Sequence, residues 1–391
     1  MRIAQVCPYD LDRSGGVQAH VRDTAAALAE LGHEVSIIAP RGAAATRPAA
    51  SPTGAAQVHR LGRARMMNFA GTRFELSLAT GEDRRELGRL MAGDSFDLVH
   101  FHTPWTPFMA TQAFLACRAA KVVTFHDTPP ERSFGRAALG LVGRAVLKAV
   151  DGAIAVSDAP RSHLGPHAIP VIPPCTDLRR FADAPTAPRK PGAPVSILFV
   201  GRLEARKGVS VLLDAYRMLC AEGLSVRLMI AGGGKEEAEL RRFVAEHDLA
   251  NVEFLGVFSD AEAPTLFASC DIFCAPSPYG ESFGVVLAEA MSAGRAVVAA
   301  ANRGYTTVMQ GEAAPFLAEP GDAVSLFERL RRLVLDPQLR ARLGAWGRAS
   351  APQYDARTVA PRLVAVYAEA LAVHAARQGR GAGRPLPSPT R

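Results

Sequence analysis

The chain lacks the sequence patterns of several large protein classes. Its six cysteines are scattered and none forms a Cys-x-x-Cys pair, so we expect buried free thiols in a reducing compartment. No apolar run reaches the roughly 18–20 residues that a membrane-spanning helix needs. The first glycine-rich turn is not the Gly-x-Gly-x-x-Gly fingerprint of NAD-binding proteins. These absences argue against a disulfide scaffold, an integral membrane protein and a dehydrogenase.

The excess of positive charge is small. The chain has 45 basic and 38 acidic residues, a formal net charge of +7, and four arginines with no acid follow Glu369. The remaining excess is compatible with an anionic ligand or an anionic membrane surface, and we expect no nucleic-acid partner. Residues 377–391 are rich in Gly, Pro and Arg, which predicts a disordered tail. The first eight residues predict a core strand rather than a signal peptide, so we expect a cytoplasmic protein.

Apolar strand-like runs alternate with helical segments along the whole chain, and this alternation is typical of parallel sheets covered by helices. The pattern restarts after a Pro-rich stretch. We therefore predict a Rossmann-like domain over residues 1–173, a linker over 174–194 and a second Rossmann-like domain over 195–355. A last helix over 356–376 is expected to cross back to the first domain. In this α/β fold the two parallel sheets face a central cleft, where ligands bind at the carboxyl ends of the strands. The predicted strands are Ile3–Cys7, Val35–Ala39, Asp97–Phe101, Val122–Phe125, Gly152–Val156, Val171–Ile172, Ser196–Val200, Val226–Ala231, Val252–Phe254, Ile272–Ala275 and Ala296–Ala299.

Two glutamates near the C-terminal third mark the most informative segment of the chain. Glu281 follows a glycine in a loop, and Glu289 lies in an apolar helical run that we predict to begin at Ser282. Their spacing of eight residues is a little over two helical turns, so both lie on one side of the helix. The first N–H groups of a helix have no internal partner and attract phosphate. Carboxylates beside such a helix end predict a site for a nucleotide sugar.

In each half of the chain, a glycine-containing turn follows the first strand. Gly15, Gly16 and Gln18 lie between a strand and a helix, where glycine permits close approach of the backbone to an anion. A plain tight turn is the alternative. The segment Gly201–Gly208 holds three cations at a strand end, which suits a diphosphate because arginine binds oxygens bidentately. A solvated run of charges is the alternative there, although the position at a strand end favours a site.

Histidines follow two further predicted strands. His126 leaves a strand end at the predicted cleft, where it can donate a hydrogen bond near a reacting sugar. A structural histidine is the alternative, and Asp127 either orients it or caps the next turn. His100 and His102 flank Phe101 and lack the spacing of a metal site, so we interpret them as residues of the cleft lining or the core.

Arginines cluster with apolar residues between positions 60 and 89. Such a mixture suits an anionic membrane interface. An exposed helix with a mobile loop is the alternative, because three acids dilute the charge. The basic members are Arg60, Arg63, Arg65, Arg73, Arg84, Arg85 and Arg89, the apolar ones Met66, Met67, Phe69, Phe74 and Leu76, and the acids Glu82, Asp83 and Glu86.

Taken together, these motifs resemble the retaining glycosyltransferases of the GT-B fold, family four. The resemblance extends to about Ala376, and its specific part is the two-glutamate motif preceded by the Gly-Arg-x-x-x-x-Lys-Gly loop. The segments Val6–Tyr9, Ser14–Gln18 and Gly32–Val35 look most like the bacterial phosphatidylinositol mannosyltransferases. The segment Asn302–Tyr305 departs from the usual family pattern, which we interpret as a difference in donor or acceptor preference.

The resemblance implies a role for each motif residue. The donor diphosphate is bound by the backbone at Gly16, by Arg202 and Lys207, and by the backbone of Phe283 and Gly284. Glu281 contacts hydroxyls of the transferred sugar. Glu289 binds the ribose, and Arg206 shares the diphosphate. His126 lies beside the reacting sugar, and Gln18 lies on the acceptor side. The base is recognised around Gly256–Ser259.

The resemblance also implies a mechanism and an activity. In front-face substitution the leaving phosphate oxygen accepts the acceptor's proton, while the protein supplies electrostatic stabilisation and positioning. Arg202 and Lys207 take the place of a divalent cation, so no essential metal or other cofactor is expected. The expected enzyme moves a hexose, first of all mannose from GDP-mannose, to a membrane-lipid headgroup or lipid-linked acceptor at the inner membrane face. Alternatives are a UDP-sugar transferase with a soluble or polysaccharide acceptor, and a non-catalytic protein that binds nucleotide sugars.

Overall fold

The structure is a computed structural model. It describes residues 1–13, 15–42, 56–69, 72–103, 106, 108–127, 134–162, 164, 169–185 and 192–382. The chain forms two sheets, one of seven strands and one of six, with helices packed on both. This arrangement confirms the predicted α/β class with two Rossmann-like units.

The first sheet has the strand order β4-β3-β2-β1-β5-β6-β7. Among the described strands, β3 and β4 pair antiparallel and all other neighbours pair parallel. The strands are β1 Arg2–Val6, β2 Glu34–Arg41, β3 Gln57–Phe69, β4 Thr72–Leu78, β5 Leu98–His102, β6 Ala120–Phe125 and β7 Gly152–Ala155. The helices of this half are α1 Gly16–Glu30, α2 Gly81–Ala92, α3 Met109–Ala116, α4 Phe134–Ala149, α5 Asp158–Arg161 and α6 Arg179–Ala182.

The second sheet has the strand order β10-β9-β8-β11-β12-β13, and its pairs are parallel. Its strands are β8 Val195–Val200, β9 Val226–Ala231, β10 Val252–Gly256, β11 Ile272–Ala275, β12 Ala296–Ala300 and β13 Leu317–Ala318. The helices in this part of the chain are α7 Val209–Ala221, α8 Glu237–Glu246, α9 Ala263–Ala268, α10 Val285–Ser292, α11 Tyr305–Val308, α12 Ala323–Leu335, α13 Pro337–Ser350 and α14 Ala356–Ala382, with 3-10 turns at Ala205–Lys207, Gly311–Phe316 and Ala351–Tyr354.

The first sheet is buried on both faces because neighbouring residues of a strand point to opposite sides. Ile3 and Leu98 belong to a core cluster with α1 and α14, whereas Ala4 and Val99 belong to a second cluster with α2 and α3. All four side chains are fully buried. Such strands read as continuous apolar runs, which is why the sequence predicted them.

The strands and the start of α10 differ from the sequence predictions in three places. The β3–β4 pair was missed, because its exposed arginines, such as Arg63, alternate with buried residues, such as Leu61 and Ala64, instead of forming an apolar run. Residues 171–172 form no strand and contribute an isolated bridge to Ala155. Helix α10 begins at Val285 rather than Ser282.

Helix α14 extends beyond its predicted end. It continues to Ala382, into the segment that was predicted as a disordered tail, and residues 383–391 lie outside the described part. Over Ala356–Gly379 it is long and apolar enough to cross a membrane by length and composition, although no such run was expected from the sequence. Its residues Val359, Leu363 and Tyr367 are buried in the core cluster of the first sheet. This packing accounts for the apolar residues on the face of α14 that meets the first sheet.

Replacement of Leu363 tests this packing. Leu363 is 2% exposed, and we expect Leu363→Ala to lower the free energy of unfolding by about 2–5 kcal/mol through lost burial and a residual cavity. The control is Val373→Ala on the same helix, where the side chain is 40% exposed and we expect a change within about 0.5 kcal/mol. Urea denaturation followed by circular dichroism measures both, and equal losses for the two variants would contradict the packing of α14 on the first sheet.

Candidate functional site

The first side of the site is the start of α1, directly after the loop that follows β1. At Gly16, an added Cβ atom would meet nothing within 4 Å, so its backbone faces open space. At Gly15 the same atom would lie 2.3 Å from Oε1 of Gln18. The Gln18 side chain folds back here, and its Nε2 donates to the Asp10 carbonyl oxygen at 3.4 Å. The open backbone at a helix start has the geometry that an anion requires.

The second side is the loop that follows β8. The 3-10 turn Ala205–Lys207 ends at Gly208, which adopts φ +70° and starts α7. A Cβ atom at Gly208 would lie 2.3 Å from the Pro276 carbonyl oxygen. Only glycine permits both the left-handed backbone and this close approach. The glycine therefore brings the cationic loop against the loop that carries Glu281.

Glu281 is shared between two cations of that loop. Its Oε1 accepts from Lys207 Nζ at 2.7 Å and from Arg206 Nη1 at 3.1 Å. Glu204 pairs with Arg206 at 3.2 Å and with Arg202 at 3.0 Å. The side chains of Lys207 and Glu281 are 15% and 12% exposed, so their pair is screened far less than a surface ion pair. The structure thus brings Arg202, Lys207 and Glu281 together and places Arg206 in the same cluster.

Arg202 lies among charges of both signs, and the two glutamates of this cluster partly offset the nearby cations. Its pKa is lowered, first by burial and then by the like charge of Arg206, with a smaller contribution from Arg13 of the other domain. Arg13 also pairs with Glu75 at 3.2 Å. Positive charge thus approaches the loop after β8 from both sides of the cleft, which favours a polyanionic ligand. No sequence pattern marks Arg13, because its proximity to Arg202 arises only from the tertiary fold.

The loop before α10 is supported by the segment after β12. Gly284 adopts φ +103°, which delays the start of α10, and a Cβ atom there would meet the Tyr305 ring at 2.6 Å. Asn302 Nδ2 donates to the Ser277 carbonyl oxygen at 2.7 Å, while its Oδ1 accepts from the Tyr305 N–H at 2.9 Å. Phe283 is buried and stacks edge-on against Tyr354. Asn302 and Tyr305 therefore fix the loop that carries Glu281, which explains this unusual sequence segment as structural support.

Glu289 points from α10 toward a group of charged residues between the domains. Burial raises its pKa to about 7, and the negative charges of Asp23 and Asp260 add to the rise while Arg180 opposes it. Burial likewise raises the pKa of Asp23, on α1, to about 6. A carboxyl group with a raised pKa can both donate a hydrogen bond to a hydroxyl group and accept one from it.

The two domains contact each other at this edge of the cleft. Arg22 of α1 pairs with Asp260, and Arg180 Nη1 donates to the Asp260 carbonyl oxygen at 3.2 Å. Asp260 directly follows the segment that the sequence suggested for base recognition. Ser157 Oγ donates to the Ser282 carbonyl oxygen, beside Glu281. A cavity of about 260 Å³ lies next to the contacts of Asp260 and is lined by Arg22, Asp23, Arg180 and Asp260 among others.

His126 lies in a buried cluster with His20 and His102. One ring nitrogen of each lies within 4.8 Å of those of the other two, which is the spacing of a metal site. However, His20 Nδ1 accepts from the Cys175 N–H at 2.8 Å, so the proton of its neutral ring is on Nε2. Burial lowers the pKa of His20 to about 4 and holds those of His102 and His126 well below the usual value, so all three rings are neutral near pH 7. A protonated nitrogen cannot bind a metal, and this hydrogen-bonding pattern favours an internal polar cluster.

The raised pKa of Glu289 predicts a pH-dependent stability. The folded protein retains a proton that the unfolded chain releases near pH 4.5, so stability present at low pH is lost as pH rises toward 7. As the pH rises from 5 to 8, we expect the free energy of unfolding of the unmodified protein to fall relative to that of Glu289→Gln. The fall amounts to about 1.4 kcal/mol for each unit by which folding raises the pKa of Glu289. Chemical denaturation at several pH values measures the difference. Glu239→Gln, an exposed control on α8, should follow the unmodified protein, and parallel curves for all three proteins would refute the shift.

Comparisons with known proteins agree with this geometry. A family model described as Glycosyltransferase Family 4 matches residues 14–180, and one described as Glycosyl transferases group 1 matches residues 182–350. Phosphatidyl-myo-inositol mannosyltransferase of Mycolicibacterium smegmatis is 36% identical over 94% of this chain and 93% of its own length. The protein of that name from Mycobacterium tuberculosis is 35% identical over 94% of this chain and 96% of its own length.

Solved structures share the fold. The crystal structure of Anabaena HepE in complex with UDP and glucose has a TM-score of 0.73 at 21% identity and covers 94% of this chain and 99% of that one. Sucrose-phosphate synthase from Thermosynechococcus elongatus has a TM-score of 0.73 at 22% identity, covering 95% and 99%. Both the fold and the resemblance inferred from the sequence are confirmed. The chain belongs to the retaining glycosyltransferases of the GT-B fold, family four, and is a hexosyltransferase.

Proposed function

We propose that this enzyme transfers mannose from GDP-mannose to the headgroup of an inositol phospholipid in a membrane. The observation that carries the proposal is the partly buried pair of Lys207 and Glu281, 2.7 Å apart, beside two arginines at the cleft. This cluster offers charge for a diphosphate and a carboxylate for sugar hydroxyls. The names of the relatives, which align over nearly the full chain, support mannose as the sugar and phosphatidylinositol as the acceptor.

The cationic cluster suggests how the reaction is catalysed. The bond between the sugar and the diphosphate breaks while the acceptor hydroxyl attacks from the same face, and the leaving phosphate oxygen takes the acceptor's proton. Arg202 and Lys207 stabilise the charge that develops on the leaving group, which is the largest contribution a protein makes to such a step. Because three cations converge here, we propose that the enzyme needs no divalent metal.

The remaining residues position the substrates. In this proposal the backbone at Gly16, Phe283 and Gly284 binds the diphosphate, Glu281 holds sugar hydroxyls and Glu289 holds the ribose. Gln18 lies on the acceptor side, at the first turn of α1. Exclusion of water by the closing domains limits hydrolysis of the donor.

Donor binding and transfer are tested with Lys207→Ala. We expect GDP-mannose to raise the melting temperature of the unmodified protein more than UDP-glucose, UDP-galactose or UDP-N-acetylglucosamine does. Lys207→Ala should lose that rise and lower kcat/KM for mannosyl transfer by roughly 100- to 1,000-fold. Lys148→Ala, at an exposed lysine on α4, is the control. Radiolabelled transfer to phosphatidylinositol vesicles, with EDTA present, measures the activity.

The outcomes separate the alternatives. A larger shift with a UDP-sugar, together with transfer to a soluble acceptor, would contradict the proposed substrates and establish the alternative donor. A donor-induced shift without turnover on any acceptor would identify a non-catalytic binding protein. Loss of activity in EDTA that Mg²⁺ restores would contradict the metal-independent mechanism.

We further propose that the first domain binds an anionic membrane surface through the β3–β4 pair and α2. Arg63 lies directly opposite Leu78 in the antiparallel register, so both side chains occupy one face, and both are exposed. On α2, Arg84, Arg85 and Arg89 are also exposed. Basic residues beside an exposed leucine have the composition of an interfacial surface. The side chains of Met66, Met67, Phe69, Arg73 and Phe74 lie outside the described residues.

The ion pairs of α2 leave this surface positive. Glu82 and Glu86 face Arg85 and Arg89 at 3.9 Å and 2.5 Å, and Asp83 pairs with Arg41. These are exposed surface pairs, which contribute little and exchange readily for lipid phosphates. Such a surface would place the enzyme peripherally on the inner face of the cytoplasmic membrane, where its lipid acceptor lies.

Charge reversal tests the membrane surface. We expect the double change Arg63→Glu and Arg65→Glu to abolish flotation with vesicles containing anionic lipid, because each basic residue near the surface contributes about 1 kcal/mol. Binding by the unmodified protein should weaken as salt is raised. The control, Arg217→Glu, changes an exposed arginine on α7 of the second domain. Equal flotation of the double variant and the control would show that this surface does not bind the membrane.

A further inference from the structure

A series of buried polar side chains extends from His126 to the centre of the first sheet. His126 Nε2 lies 3.0 Å from His102 Nδ1, and His102 Nε2 lies 2.6 Å from Gln5 Oε1. Gln5 lies at the centre of the sheet on β1 and is fully buried, as is His102. Polar groups at this depth are costly unless they are hydrogen-bonded, so each contact constrains the proton positions of the next.

The series continues to the helix that crosses back from the second domain. Gln5 Nε2 donates to the Tyr367 hydroxyl at 3.2 Å, and that hydroxyl lies 2.7 Å from His100 Nδ1. His100 Nε2 lies 2.6 Å from Thr124 Oγ1. The Tyr367 oxygen accepts from Gln5, which leaves its own hydrogen available to His100 Nδ1. The Gln5 amide thus has Nε2 toward α14 and Oε1 toward His102.

The proton positions at His126 follow from that orientation. Gln5 Oε1 can only accept, so His102 Nε2 carries the hydrogen between them. The ring of His102 is neutral because burial holds its pKa well below the usual value, and its Nδ1 is therefore unprotonated. The hydrogen between the two histidines must come from His126 Nε2. In the neutral ring of His126 this leaves Nδ1 with a lone pair, and no partner of Nδ1 lies among the residues that the structure describes.

We propose that Gln5 and His102 are positioning residues that hold His126 in the tautomer protonated at Nε2, so that Nδ1 accepts a hydrogen bond from a hydroxyl of the transferred hexose. This inference rests on the proposed function only for the identity of the hydroxyl. It differs from the expectation drawn from the sequence, in which His126 donates a hydrogen bond. It also gives the buried Gln5 and the crossing helix a part in the chemistry at the cleft.

The tautomer is measured directly, without substrate. Two-bond ¹H–¹⁵N correlation spectra of protein labelled with ¹⁵N-histidine distinguish protonated from unprotonated ring nitrogens, and His126→Asn assigns the signals. We expect Nε2 of His126 to be protonated and Nδ1 unprotonated at pH 7.5. In Gln5→Met, which keeps the side-chain volume but removes both hydrogen bonds, we expect a mixture of tautomers. We also expect kcat to fall about tenfold, the effect of one hydrogen bond, with the donor KM within twofold.

Two variants at His102 separate positioning from packing. His102→Asn retains an oxygen close to the position of Nδ1, which can accept from His126 Nε2, whereas His102→Leu fills the apolar space without an acceptor. We expect His102→Leu to be the more stable protein and His102→Asn the more active one. A purely structural role would give the same order for both properties. Tyr216→Phe is the control for loss of a buried hydroxyl, because Tyr216 donates to Val226 within the second domain.

Each outcome bears on the proposal separately from the choice of substrate. Protonation of His126 at Nδ1 in the unmodified protein would mean that the Gln5 amide is reversed and would overturn the inference. An unchanged tautomer in Gln5→Met would overturn it as well. If the expected tautomers are found but mannose is not transferred, the positioning holds and the proposed donor is wrong.

Discussion

The site depends on the placement of three cations within one short loop. Arg202, Arg206 and Lys207 would repel one another in a partly buried position, and Glu204 and Glu281 offset that repulsion. One oxygen of Glu281 accepts from two of the cations, so this carboxylate is held tightly. A diphosphate can replace its negative charge at the cations. The carboxylate would then be available to sugar hydroxyls at the moment when the donor is bound.

This electrostatic arrangement requires backbones that approach closely. The loop with the cations meets the loop with Glu281 because Gly208 lies against the Pro276 carbonyl oxygen. On its other side, Gly304 would place a Cβ atom 2.4 Å from the Glu281 carbonyl oxygen. Larger residues at either glycine would force the loops apart. Since the ion pairs span 2.7 to 3.2 Å, a displacement of one ångström would break them.

The residues that sequence alone could identify are those whose chemistry is local. Arg202, Lys207 and Glu281 lie in the loops that follow apolar strands, and parallel strands bring their carboxyl ends to one edge. Arg13, Asn302 and Tyr367 gave no such signal, because each meets its partner only through the tertiary fold. The same limit explains why β3 was not predicted, because its exposed arginines alternate with buried residues and form no apolar run. It also explains why the hydrogen-bonding role of His126 was not predicted, since that role depends on a glutamine on another strand and a tyrosine on the last helix.

Different kinds of contact join the two domains. Helix α14 is held by apolar burial in the core of the first sheet, which is lost only at high cost. Across the mouth of the cleft the contacts include the pair of Arg22 with Asp260 and the bond from Ser157 to Ser282, beside a buried valine, Val156. Polar contacts exchange for water with little change in free energy. The domains can therefore separate at the cleft to admit the donor while α14 stays docked, and opening leaves the buried network behind His126 intact.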